Sequence, residues 1–205
     1  MFDMYDIHRV VNPAELPASL QSLDDCPSIL YCVGDVELLN TTCVSVAGAR
    51  RVSSSSIKWL NGLLEQCSTS KPTIVSGLAL GTDTAAHKTA LELGLPTIAV
   101  LPSGVNNIAP RSNEKLANQI VDNGGLLISE YMLHQAPNRD SYINRNRLIA
   151  SLGKALVVPQ CEIKSGTMHT VRFAKQYGKY IVTQDADYSG NQHIIRSGDY
   201  KVLIK

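Results

Sequence analysis

Seven apolar stretches of strand length punctuate the chain, at 28–33, 43–47, 73–76, 97–101, 126–130, 155–159 and 180–183. Each is nearly continuous rather than alternating, the pattern of a strand covered on both faces. Segments of helical period lie between them. Over 54–67, Ile57, Leu60, Leu63, Leu64 and Cys67 share one helix face. Over 82–94, Ala86, Ala90, Leu91 and Leu93 gather before Gly94, a residue suited to ending a helix. The stretches 112–123, 143–152 and 167–178 keep the same period. Strands and helices alternating in this way predict a doubly wound α/β domain, a mostly parallel sheet between helical layers. Pro13, Pro17 and Pro27 break any long element near the start, so 1–27 is expected to be irregular. The expected division is an N-terminal extension over 1–40 packing on a domain over 41–205.

Charge narrows the function classes. Nineteen Lys and Arg oppose eighteen Asp and Glu, for a net charge of +1, which excludes bulk coating of nucleic acid and a polybasic membrane anchor. Phosphate recognition would need cations gathered locally. Five cysteines without a CxxC pair predict buried free thiols, and no metal site is expected. Without a signal peptide or an apolar run near the ~20 residues that span a bilayer, a soluble, cytoplasmic protein is expected.

Ligands of such sheets bind beyond the carboxyl ends of the strands, near the point where strand order reverses. The residues there are Gly48-Ala49-Arg50-Arg51, Ser76-Gly77 through Asp83, Pro102-Ser103-Gly104, and Lys164-Ser165-Gly166-Thr167. Glycine lets an anion approach the backbone, Ser and Thr add hydroxyls, and a helix start offers free N–H groups at the positive dipole end. Four such turns on one edge point to a phosphate pocket. None matches the GxGxxG or GxxxxGK[ST] pattern, so a usual dinucleotide site and a P-loop are not supported. A further dense block, 139–152, sets Arg145 and Arg147 about Asn146 at the start of an apolar helix. Arginines there oppose the helix dipole unless an anion or a carboxylate offsets them. Phosphate is one candidate, and salt bridges to Glu130 or Asp83 are the other.

Together these blocks resemble the DprA (Smf) family of DNA-processing proteins. The resemblance runs over roughly 12–183, through Pro27 to Leu39, Val-Ala-Gly-Ala-Arg at 46–50, Ser-Gly-Leu-Ala-Leu-Gly-Thr-Asp-Thr-Ala-Ala-His at 76–87, Asn-Arg-Asn-Arg-Leu-Ile-Ala-Ser-Leu at 144–152 and Lys-Ser-Gly-Thr at 164–167. It implies an extended Rossmann-like fold that binds single-stranded DNA without sequence preference, forms a homodimer and delivers the strand to a RecA-type recombinase in natural transformation. On the family pattern Gly48, Arg50, Ser76, Gly77, Arg145, Asn146, Arg147, Lys164, Ser165, Gly166 and Thr167 form the phosphate site. No cofactor and no catalytic residue are implied. Asp83 and His87 belong to the signature, and a structural bond between the turn and neighbouring strands is expected of them. The chain resembles the Rossmann-like core alone, with no winged-helix tail. It departs from the family at Ala49 for Ser, at Leu80 for Lys or Arg, and at Tyr142-Ile143-Asn144 for a segment that usually contains Phe-Pro.

Two functions use this pocket. A single strand would lay successive phosphates on Arg50, Arg145, Arg147 and Lys164, with Tyr131 or Tyr142 stacking a base. The alternative is a small nucleotide, sensed or processed as in phosphoribohydrolases of the Lonely Guy type. Those carry a Glu soon after a Gly-Thr turn, whereas 164–170 contains no carboxylate to support an oxocarbenium-like transition state.

Overall fold

The computed structural model describes residues 7–10 and 13–204. The strands are β1 (Ile7–Val10), β2 (Leu30–Gly34), β3 (Cys43–Val46), β4 (Thr73–Ser76), β5 (Thr97–Val100), β6 (Leu126–Ser129), β7 (Gly153–Val158), β8 (Tyr180–Thr183) and β9 (Lys201–Ile204). The α-helices are α1 (Ala18–Gln21), α2 (Ser54–Cys67), α3 (Thr82–Glu92), α4 (Glu114–Asp122), α5 (Arg139–Leu152), α6 (Thr167–Gln176) and α7 (Ser189–Arg196). All nine strands join one sheet in the order β1-β2-β6-β5-β4-β3-β7-β8-β9. Neighbours from β6 through to β9 are parallel, whereas β2 runs antiparallel to both β6 and β1.

The unbroken apolar runs are explained by the two helical layers. Side chains of a strand alternate between faces. Ile98 and Val100 pack with Leu148, Ile149 and Leu152 of α5, while Ala99 and Leu101 pack with Leu116, Ala117 and Ile120 of α4. Along β7, Leu156 and Val158 meet Met168 and Val171 of α6, and Val157 meets Leu60 and Leu64 of α2. The doubly wound α/β expectation is met.

One expectation changes. The segment expected to be irregular contributes α1, whose Leu20 is fully buried, and β1, which is recruited by pairing to β2. Residues 30–34, within the strand-length run at 28–33, form β2 in the same sheet, with Leu30 and Cys32 in the principal core. A short polar-flanked strand has little signal of its own, since pairing and burial decide its state. Residues 201–204 form the edge strand β9, paired to β8. All five cysteines are free. Among the described residues, no helix is long and apolar enough to cross a membrane and no three metal-binding side chains gather.

His87 ties α3 to the sheet. Its Nδ1 lies 2.8 Å from Thr97 Oγ1, and the Thr97 hydroxyl donates to the Ile74 carbonyl at 2.6 Å. The single hydroxyl proton is thereby used, so Nδ1–H is the donor and the buried Nε2 stays bare. Burial, and then the charge of Arg145, push the His87 pKa down from 6.5 to about 3. The folded protein therefore keeps His87 neutral at pH values where the unfolded chain is already protonated. Stability should be complete above pH 6.5 and fall as the pH drops towards 3. The loss from this residue reaches about 2 kcal/mol by pH 5. Urea unfolding at pH 7.5 and pH 5 measures it, and His87→Gln should flatten the difference.

Candidate functional site

From β3 the chain steps outward through β4 and β5 to β6, then returns to lay β7 on the other side of β3. The loops leaving β3 and β7 consequently diverge, and a cavity of about 540 Å³ opens between them. Gly48, Ala49, Arg50 and Arg51 form one wall, Ser165, Gly166 and Thr167 another, and Tyr142, Arg145 and Asn146 of α5 a third. Close approach of α3 to the first wall requires a glycine, because a Cβ at Gly48 would lie 2.5 Å from Thr82 Oγ1. The two loops are also joined to each other. Ala49 N–H donates to the Gln160 carbonyl at 2.8 Å, and Ser53 N–H to the Gln160 side chain at 2.8 Å.

Arg145 is the innermost cation and only 4% exposed. Its Nη1 donates to the Val100 carbonyl at 3.0 Å, and Nη2 lies 3.8 Å from Asp83 Oδ2. That oxygen also accepts Gly77 N–H at 3.2 Å and Ala79 N–H at 3.3 Å. A Cβ on Gly77 would sit 1.2 Å from Arg145 Nη1, so only glycine leaves the guanidinium its place. Burial raises the Asp83 pKa and lowers that of Arg145, and the attraction between the two opposes both shifts. Arg145 Nε and Ser165 Oγ are buried without a hydrogen-bond partner.

Several expected site residues lie elsewhere. Ser76 donates its hydroxyl to the Val46 carbonyl at 2.8 Å and, like Gly77, lines neither this cavity nor the groove beside it. Arg147 is a correction. Successive residues of a helix turn by about 100°, so Arg147 points nearly opposite to Arg145. Its guanidinium holds Glu130 through bonds of 2.6 and 2.7 Å and Asp25 through one of 2.6 Å. These bonds raise its pKa further above the ordinary arginine value, against the burial that lowers it. The salt-bridge alternative therefore holds for Arg147, and Glu130 is committed to it. Glu162 does line the cavity, but its carboxylate accepts the Ser189 hydroxyl and the Ser189 N–H.

Beside the cavity runs a groove lined by Arg50, Arg139, Lys164 and Arg172, with Tyr142 and His169. Arg50 Cζ stands 5.2 Å from the Tyr142 ring centroid, a cation–π pair shared by groove and cavity. His169 Nδ1 lies 3.3 Å from Arg172 Nη2; partial burial, then the charges of Arg172 and Arg139, push its pKa down. Lys164 belongs to this outer groove rather than the inner cavity. Sequence reasoning missed Arg139 and Arg172. The latter was discoverable, because Arg172 follows His169 by three residues on the helix that begins after Lys-Ser-Gly-Thr. Leu80 and Tyr131 line neither space.

A doubly wound sheet with a cation-lined cavity at its switch point defines a Rossmann-like α/β protein. Residues 8–204 match the DNA recombination-mediator protein A family, and the chain belongs to that family. It is 35% identical over 165 residues to protein Smf of Escherichia coli, covering 80% of this chain and 44% of the relative. It is 33% identical over 187 residues to DNA processing protein DprA of Streptococcus pneumoniae, covering 89% and 66%. The chain thus spans about half to two thirds of these relatives' lengths. DNA processing protein A of Helicobacter pylori, a protein with a single-stranded DNA binding mode, superposes with a TM-score of 0.87 at 31% identity, over 97% of this chain and 91% of that one. A molybdenum cofactor binding protein of Rippkaea orientalis, at TM-score 0.56 and 17% identity over 80% of this chain and 88% of its own, shares the fold alone.

Removing Arg147 would leave Glu130 and Asp25 without their cation. Arg147→Ala should cost about 3 kcal/mol, as for a broken, largely buried pair. It should leave the salt dependence of anion binding unchanged. Chemical denaturation and a salt titration of binding separate the two effects.

Proposed function

We propose that the protein binds single-stranded DNA without sequence preference and serves DNA processing as a recombination mediator. The observation that carries this reading is the outer groove, where Arg50, Arg139, Lys164 and Arg172 stand together on a protein whose net charge is only +1. Cations concentrated along one groove suit a backbone of repeating phosphates. Tyr142, which carries Arg50 over its ring, lines the groove as a ring on which a base stacks, and stacking of this kind tolerates any sequence. The inner cavity adds Gly48, Arg145, Asn146, Ser165, Gly166 and Thr167 as anion contacts. Leu80 stands where the family often carries Lys or Arg, and in this reading Arg139 and Arg172 supply cations to the groove instead.

The H. pylori relative binds single-stranded DNA, which supports the same ligand here. Transfer of the strand to a RecA-type recombinase and assembly as a homodimer complete the proposal. Leu203 and Ile204, about half exposed on edge strand β9, supply an apolar edge for a second copy.

Fluorescence anisotropy with labelled single strands of increasing length tests the ligand. Affinity should grow with length over several nucleotides. Four phosphate contacts imply a log–log salt slope near −2.8, so affinity should drop about fifty-fold between 50 and 200 mM salt. Arg172→Ala should reduce the slope by about 0.7. Length-independent binding would favour a small nucleotide instead.

A further inference from the structure

We propose that the inner cavity is a site for a phosphomonoester, the terminal phosphate of a strand whose body lies in the outer groove. The inference rests on the strand-binding reading for the source of that phosphate, but its chemistry follows from donors that the groove does not use.

The first observation is a pair of orphaned polar atoms. Arg145 Nε is buried without a partner although the two Nη atoms of the same guanidinium are engaged, by Val100 and by Asp83. Ser165 Oγ is buried and unpartnered too, and both residues line the same cavity. A buried donor left unmade is costly, so two of them on residues that line one cavity point to an acceptor that enters there and draws both side chains towards it. The second observation is the start of α6. Gly166 and Thr167 line the cavity; the N–H groups of Met168 and His169 are bonded to the Ser165 and Gly166 carbonyls, which leaves those of Gly166 and Thr167 as the donors at the helix start.

Three kinds of donor thus approach from different elements: a guanidinium from α5, a hydroxyl from the loop after β7, and backbone N–H groups from α6. A phosphomonoester has three terminal oxygens and a charge near −2 at neutral pH, whereas a diester within a strand has two free oxygens and a single charge. The monoester matches the donor set. Two carboxylates share the lining and are both engaged elsewhere. Asp83 accepts two backbone N–H groups and faces Arg145 Nη2, and Glu162 accepts from Ser189. Access is from the groove, since Arg50, Tyr142, Ile143, Ser165 and Gly166 line both spaces.

The experiment compares dT oligonucleotides of one length carrying a 5′-phosphate, a 3′-phosphate or only terminal hydroxyls, with dTMP and thymidine as unlabelled competitors. A phosphate on one end should tighten binding about tenfold, the scale of a few charge-assisted hydrogen bonds. The nucleotide dTMP should compete where thymidine does not. Ser165→Ala should cut the preference for the phosphorylated end to about threefold; it avoids Arg145, whose loss could unfold the protein. Strands that all bind equally well, with or without an end phosphate, would overturn the proposal while leaving the groove as a strand path. No binding of any strand, with dTMP still raising thermal stability in a Ser165-dependent way, would sink the strand reading and support the cavity assignment. Folded protein that responds to neither strand nor dTMP would overturn both.

Discussion

The guanidinium of Arg145 is the piece around which the site end of the molecule is assembled. It reaches from α5 to the end of β5, where the Val100 carbonyl accepts, and to Asp83 in the first turn of α3. It also fills the space above Gly77 that any other residue would occupy with its own side chain. Asp83 in turn binds the N–H groups of Gly77 and Ala79, fixing the turn after β4. One buried cation therefore sets the relative positions of two helices and two strand ends. A charge so deep persists only with close partners, because desolvation is otherwise prohibitive.

Charge on this protein is sorted by depth. Inside, cations are matched with acids, Arg145 with Asp83 and Arg147 with Glu130 and Asp25. In the groove, Arg50, Arg139, Lys164 and Arg172 line the wall together, and no carboxylate stands among the lining residues. A near-neutral chain can thus keep a strongly cationic surface locally. Screening by salt acts on the outer set far more than on the buried pairs, so ligand affinity and fold stability should respond differently to ionic strength.

The parallel core was legible because its strands are covered on both faces and so leave unbroken apolar runs with helices between them. The carboxyl edge of the sheet was legible for the same reason, since the Gly and Ser turns mark where strands end, but which two turns flank the cavity depends on a strand order that no local pattern carries. What stayed hidden depended on contacts distant in sequence. β1 has no apolar run and exists through its pairing with β2. Arg145 and Arg147 look alike in the sequence, yet half a helical turn sends one to the cavity and the other to Glu130. Arg139 and Arg172 lie in different helices, and only their packing brings them to one groove. The structural role expected of Asp83 and His87 was readable from their positions in the turn and on the helix after it.

The reversed direction of β2 has an effect of its own. Tyr31 pairs with Ser129, so the segment that leads into β2 is delivered to the carboxyl end of the sheet, the end that holds the cavity. Asp25 reaches Arg147 from there, two residues along α5 from Arg145. One helix is thus gripped on one side by the early part of the chain and presents a cation to the cavity on the other. The early segment and the cavity therefore share a single helix as their common support, with no loop between the two attachment points.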